Sequence, residues 1–202
     1  MTNAATATQS KFNVRTLVGM GILTAIVIVL QAVASTIKFG TFSITLVLAP
    51  IIIGAAMYGW KAGTWLGLVF GAMVLISGDA AAFLAINVPG TVITVLAKGI
   101  LAGLAAGFAY RCIEKHNRLA AVITAGVVCP VVNTGIFILG SYTFFLNTIR
   151  QWGEGSGYSN ATAFIFFGMI GVNFLVELGI NLVLSTAIVR ILETVKKPSA
   201  SV

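Results

Sequence analysis

The sequence predicts an all-α membrane protein: a single six-helix transmembrane bundle with N- and C-termini in the cytoplasm. Three observations predict it. Apolar residues make up 58% of the 202 residues and charged residues only 8%. Soluble domains carry roughly 25% charged residues, so polar side chains here are too few to cover a surface facing water. The apolar residues fall into six stretches of spanning length. The lysines and arginines gather at the ends of those stretches, far more on one side than on the other.

The predicted spans are Val14–Ile37, Phe42–Tyr58, Trp60–Gly78, Pro89–Tyr110, Leu119–Leu146 and Ala161–Leu192. At about 20 residues per span, six helices take more than half the chain and leave no room for a soluble catalytic domain. Glycine and proline inside the stretches do not count against them, because helices in lipid tolerate both. The second and third spans meet at Tyr58-Gly59-Trp60-Lys61, a tight turn whose aromatic residues suit the membrane–water interface. Met1–Ser10 is polar and small, with no charged start and no cleavage pattern before the first apolar run. The first span is therefore expected to stay in the mature protein. The organisation is a polar tail over 1–13, a six-helix domain over 14–192 and a cytoplasmic tail over 193–202.

Orientation follows from basic residues, which favour the cytoplasmic side. With the N-terminus inside, the inner ends carry Lys11, Arg15, Lys61, Arg111, Lys115, Arg118, Arg190, Lys196 and Lys197, against Lys38 and Arg150 outside. The same distribution explains the net charge of +7 without a nucleic-acid partner. Three outer loops result, over Lys38–Thr41, Asp79–Val88 and Asn147–Asn160. The last holds Trp152 and the flexible run Gly153-Glu154-Gly155-Ser156-Gly157. These loops are either a lid or plain connectors.

Gly63, Gly67 and Gly71 recur every four residues in the third span, as do Gly99, Gly103 and Gly107 in the fourth. Each set lines one helix face, where backbones can approach closely, either for internal packing or for a sliding contact. In the first span Gly21 and Ala25 are also four apart.

The strongest functional signal is a set of polar groups at one depth. Lys98 lies nine residues past Pro89, roughly 14 Å along its helix. Asn133 and Glu177 fall near the middle of the fifth and sixth spans, and Asn173, Glu177 and Asn181 share a helix face. A charge at mid-membrane costs about 2.5–3.5 kcal/mol, so such groups turn inward and find partners. One reading is a Lys98–Glu177 ion pair that holds helices together. The other is a polar cavity between the fourth, fifth and sixth spans, in which Lys98 meets an anionic ligand group while Asn133 and Asn173 donate and accept. Both can hold together. Asp79 and Glu154 lie in different outer loops, and the sequence does not pair them.

Nothing suggests an enzyme or a bound cofactor. The serines have no histidine partner, and no phosphate-binding loop follows a strand. Cys112, at a helix end, and Cys129, inside a span, suggest neither a disulfide nor a metal site. His116, in a basic loop, reads as a surface residue. Active transport would have to be powered from elsewhere.

Several stretches, taken in order, resemble the substrate-binding S components of energy-coupling factor (ECF) transporters, the bacterial vitamin importers. Leu17-Val18-Gly19-Met20-Gly21-Ile22-Leu23-Thr24-Ala25 is similar to that family's first helix, with Gly21 where alanine is usual. Pro50 through Gly71 is similar to its second and third helices, Lys98-Gly99-Ile100-Leu101-Ala102-Gly103 to its fourth, and Val132-Asn133-Thr134-Gly135-Ile136-Phe137 to its fifth. The resemblance implies a ligand site near the outer side, built from helices four to six and capped by outer loops. Lys98, Asn133, Asn173 and Glu177 would bind substrate there, with Phe42 and Trp152. It implies as partners a membrane coupling subunit, met by Gly21 and Ala25, and two cytoplasmic ATPases whose ATP hydrolysis topples the chain to release a vitamin inside. Asn133-Thr134-Gly135 looks most like members assigned to pantothenate, whose carboxylate would suit Lys98. Folate, biotin, riboflavin and pyridoxine stay open as ligands. So do a self-sufficient secondary carrier of a small organic anion, although no internal repeat is visible, and a structural subunit without ligand.

Overall fold

The computed structural model describes residues 14–36, 38–39, 42–43 and 47–196, with side chains at 14–36 and 47–191. Helix α1 (Val14–Ala34) is followed by two short antiparallel strands, β1 (Lys38–Phe39) and β2 (Phe42–Ser43), with Phe39 opposite Phe42. Then come α2 (Leu48–Tyr58), α3 (Trp60–Ile76), α4 (Ala81–Leu84), α5 (Val88–Ile113), α6 (Arg118–Phe144) and α7 (Leu146–Gly155). A last helical run joins α8 (Ala161–Ala163), a π-helical stretch (Phe164–Ile170) and α9 (Gly171–Lys196). Among the described residues four segments are long and apolar enough to cross a membrane: Val14–Ala34, Val88–Ile113, Arg118–Phe144 and Ala161–Ile191. Helices α2 and α3 are apolar but shorter, at 11 and 17 residues. The chain is an all-α, multi-pass protein of the cell membrane.

Local chemistry starts three of these elements in the same way. The side-chain oxygens of Asn87, Asn117 and Asn160 accept from the backbone N–H groups of Gly90, Ala120 and Ala163, at 2.9, 3.0 and 2.8 Å. Each satisfies a donor that the first helical turn leaves open, worth about 1 kcal/mol per cap. Pro89 occupies the first turn of α5, where its missing N–H costs nothing. Gly59, at φ +88°, makes the turn between α2 and α3, as the tight Tyr58–Lys61 connection requires.

At the centre, α5 packs along α3 on one side and α6 on the other, and α6 packs on α9. The glycine ladders are what bring α3 and α5 together. A Cβ on Gly67 would run into the carbonyl of Gly99, and one on Gly63 into that of Gly103. On Gly71 it would stand 2.9 Å from the Val95 oxygen. In lipid, where apolar burial gives no net drive, such backbone approach is a main source of helix association. The ladders therefore serve internal packing.

Four expectations are corrected. The second helix begins at Leu48, not Phe42, and Phe42–Ser43 lies in β2 instead. Phe42 and Ser43 pair with Phe39 and Lys38 across the two strands, and an aromatic residue such as Phe42 suits a strand. The connection over Asn147–Asn160 is not a plain loop: Leu146–Gly155 forms α7, with Ile149 and Gly153 buried. Gly153 has no Cβ to separate α7 from Phe164, whose Cβ lies 3.0 Å from where one would stand. The Asp79–Val88 connection contains α4. The last span is not uniformly α-helical. Its π-helical stretch widens the turn where the Phe164 ring lies over Gly168.

Candidate binding cavity

A cavity of about 110 Å³ lies between α1, α3, α5, α6 and the last helical run. That is several times the 10–15 Å³ or so one water needs. Its polar lining is Lys98 from α5, Asn133 and Thr134 from α6, Asn173 and Glu177 from α9, Asp79 from the α3–α4 connection, and Gln31 from α1. Its apolar lining includes Phe70, Phe83, Phe137 and Phe174. The four polar residues singled out at one depth thus share one space.

Lys98 is held by ring faces and charge. Its ammonium lies 5.6 Å from the Phe70 ring centre and 5.7 Å from that of Phe137, on opposite helices that flank α5. Such contacts are worth about 2 kcal/mol or more when desolvated. Glu177 and Asp79 are the acids close enough to act on it electrostatically. Asn133 is buried, and its Oδ1 has no hydrogen-bond partner among the described residues. A buried amide oxygen without a donor costs about 1–3 kcal/mol, so an entering N–H or O–H group would relieve it. Asn181 is turned away from this space: its Nδ2 donates to the Glu177 carbonyl at 2.9 Å, and it does not line the cavity.

Trp152 does not line the cavity either. It meets Phe83 edge-on from α7, ring centres 5.7 Å apart, in a cluster that also holds Phe145 and Phe137 against the same ring. Trp152 thus stands behind a wall of the cavity. The Phe42 side chain lies outside the described residues. Gly21 and Ala25 lie on an exposed face of α1, and a Cβ on Gly21 would meet nothing within 4 Å.

Gln31, Asp79 and the aromatic lining were not predicted as part of the cavity. Gln31 Nε2 donates to Asp79 Oδ2 at 2.5 Å across 48 residues of sequence. One signal was available: Gln31 is the lone amide in the apolar run of α1. Among the described residues no group of three His, Cys, Asp or Glu could hold a metal ion.

A membrane-embedded helical bundle that encloses a small, mixed polar and aromatic cavity is built to hold a small solute. The sequence model of one protein family, the substrate-specific component of ECF transporters, matches residues 15–189. The chain belongs to that family. Its members are transport subunits rather than enzymes, and they work with the other subunits of an ECF module. No curated protein matches the chain.

Proposed function

We propose that this S component captures pantothenate from outside the cell and delivers it to the cytoplasm, with a membrane coupling subunit and two ATPases supplying the drive. The observation that carries the reading is the convergence of Lys98, Asn133, Asn173 and Glu177 on one cavity. Pantothenate has a single carboxylate for the Lys98 ammonium, and hydroxyl and amide N–H donors for the Asn133 oxygen and for the acids Glu177 and Asp79. Trp152 backs the site through Phe83, and Phe42 is kept as a candidate substrate-binding residue. In this reading all six apolar helices span the bilayer with both termini inside, so that α4 and α7 face outward. The 14–192 domain is the whole binding unit, and Gly21 and Ala25 meet the coupling subunit.

One observation favours a second ligand class. Two acids face one lysine in the cavity, and four phenylalanine rings line it. An uncharged, ring-bearing vitamin rich in hydroxyls, riboflavin or pyridoxine, would donate to those acids without adding an anion. Binding of a panel of B vitamins to the purified chain decides between them. Saturable binding of pantothenate alone is the expected result, and saturable binding of riboflavin or pyridoxine alone would replace it. Uptake that persists without ATPase subunits would instead mark a self-sufficient carrier.

A further inference from the structure

We propose that Gln31 is a positioning residue of the binding site, and that its hydrogen bond to Asp79 ties the position of α1 to the contents of the cavity. This rests on the reading of the cavity as the ligand site. It adds α1 as a working wall of that site, in place of a helix that only meets a partner.

Helix α1 has few polar ties to the bundle, one of them an exposed bond from Trp65 Nε1 to Thr24 Oγ1 at 3.2 Å. It buries only Leu23, Val27, Gln31 and Ala34, a single stripe along its 21 residues, and leaves Leu17, Val18, Ile22, Val29 and Val33 exposed. Three of the four buried residues are apolar, and in lipid apolar contact alone fixes a helix weakly. Gln31 is the exception: it is 2% exposed and donates to a carboxylate oxygen at 2.5 Å. A hydrogen bond to a charged group is stronger than a neutral one, and stronger again in a low dielectric. Asp79 stands at the other end of that bond, on the cavity wall and within electrostatic range of Lys98. A ligand that takes over part of the Lys98 or Asp79 interactions therefore changes how firmly Asp79 holds Gln31. The same helix carries Gly21 and Ala25, the latter six residues from Gln31, roughly 9 Å along the axis. A change at the cavity thus reaches the exposed small-residue face through one rigid element.

The test uses the full chain in lipid nanodiscs, with Gln31→Met, Asp79→Asn and the double variant. Methionine approximates the length and volume of glutamine and removes its amide, so packing is largely preserved while the bond to Asp79 is lost. The probe is pantothenate. In parallel, spin labels at Val33 and Leu139, both exposed, report the distance from α1 to α6 in a background with Cys112→Ser and Cys129→Ala. Each single variant should weaken binding about tenfold, the double variant no more than the worse single one. Gln31→Met should broaden the distance distribution without ligand. Unchanged affinity with an unchanged distribution overturns the proposal. So does a fall in melting temperature alone, which marks a merely structural bond, or full additivity in the double variant. If the unaltered chain fails to bind pantothenate while Gln31→Met still broadens the distribution, the pantothenate reading fails and the tie between α1 and the cavity stands.

Discussion

Lys98→Met is the most informative single substitution. Methionine approximates the length of the lysine stem, while the ammonium and its contacts with the Phe70 and Phe137 rings are lost. The cavity then retains Glu177 and Asp79 without the cation that acts on both, and a ligand carboxylate would enter as a third negative group. Truncating one partner of a desolvated charge pair costs about 2–5 kcal/mol, much of it from the charge left behind. At about 1.4 kcal/mol per decade, pantothenate affinity should fall roughly 30-fold to several thousand-fold. Asn181→Leu, a turn further along α9 and outside the cavity, should change affinity far less. The assay is equilibrium binding in detergent together with a thermal melt of each variant. The competing view makes Lys98 and Glu177 a structural pair, and predicts that Lys98→Met with Glu177→Gln restores both melting temperature and affinity. Full-affinity binding by that double variant would refute a ligand contact at Lys98 and remove the main support for a carboxylate vitamin.

Three further outcomes are expected. Gly67→Ala should lower the melting temperature, because its Cβ meets the Gly99 backbone and overpacking costs about 1–3 kcal/mol. Gly179→Ala, whose Cβ would meet nothing within 4 Å, should be neutral or stabilising by about 0.5–1 kcal/mol; equal losses at both sites would refute the close approach of α3 and α5. Bulky residues at Gly21 and Ala25 should abolish uptake and spare pantothenate binding, since both sites are exposed and away from the cavity; joint loss of binding and uptake would mean that they serve the bundle. A cysteine at Ser156 should label from outside and one at His116 only from inside, and external labelling at His116 would invert the proposed orientation.

Much of the fold was legible because composition and period decide it. A run such as 118–144 can only be satisfied as a helix in lipid, where every backbone group must bond within its own segment. Elements whose fate depends on partners were not legible. Phe42 reads as the start of a span, yet it pairs with Phe39 in the short strand before it. Helix α7 is hidden by Gly153 and Gly155, which signal a loop until Phe164 is known to lie against Gly153. In the cavity, Lys98, Asn133, Asn173 and Glu177 stood out because each is polar at mid-membrane, where the cost is high. Asp79 lies in a connection where an acid costs little, so nothing in its surroundings marked it. Its link to Gln31 spans 48 residues, a pairing that helical period cannot reveal.

The unequal helix lengths have a consequence for the surrounding lipid. At about 1.5 Å per residue, the 17 residues of α3 extend about 26 Å and the 26 of α5 about 39 Å. A bilayer's hydrocarbon core is about 30 Å thick. If α3 spans as proposed, its exposed Trp65 and Ile76 face acyl chains that must compress unless the bundle leans, each at a fraction of a kcal/mol per ångström. Membrane thickness thus becomes a force on the protein's inclination. Reconstitution in lipids of graded acyl length would then change transport rate while leaving equilibrium affinity for the solute nearly constant.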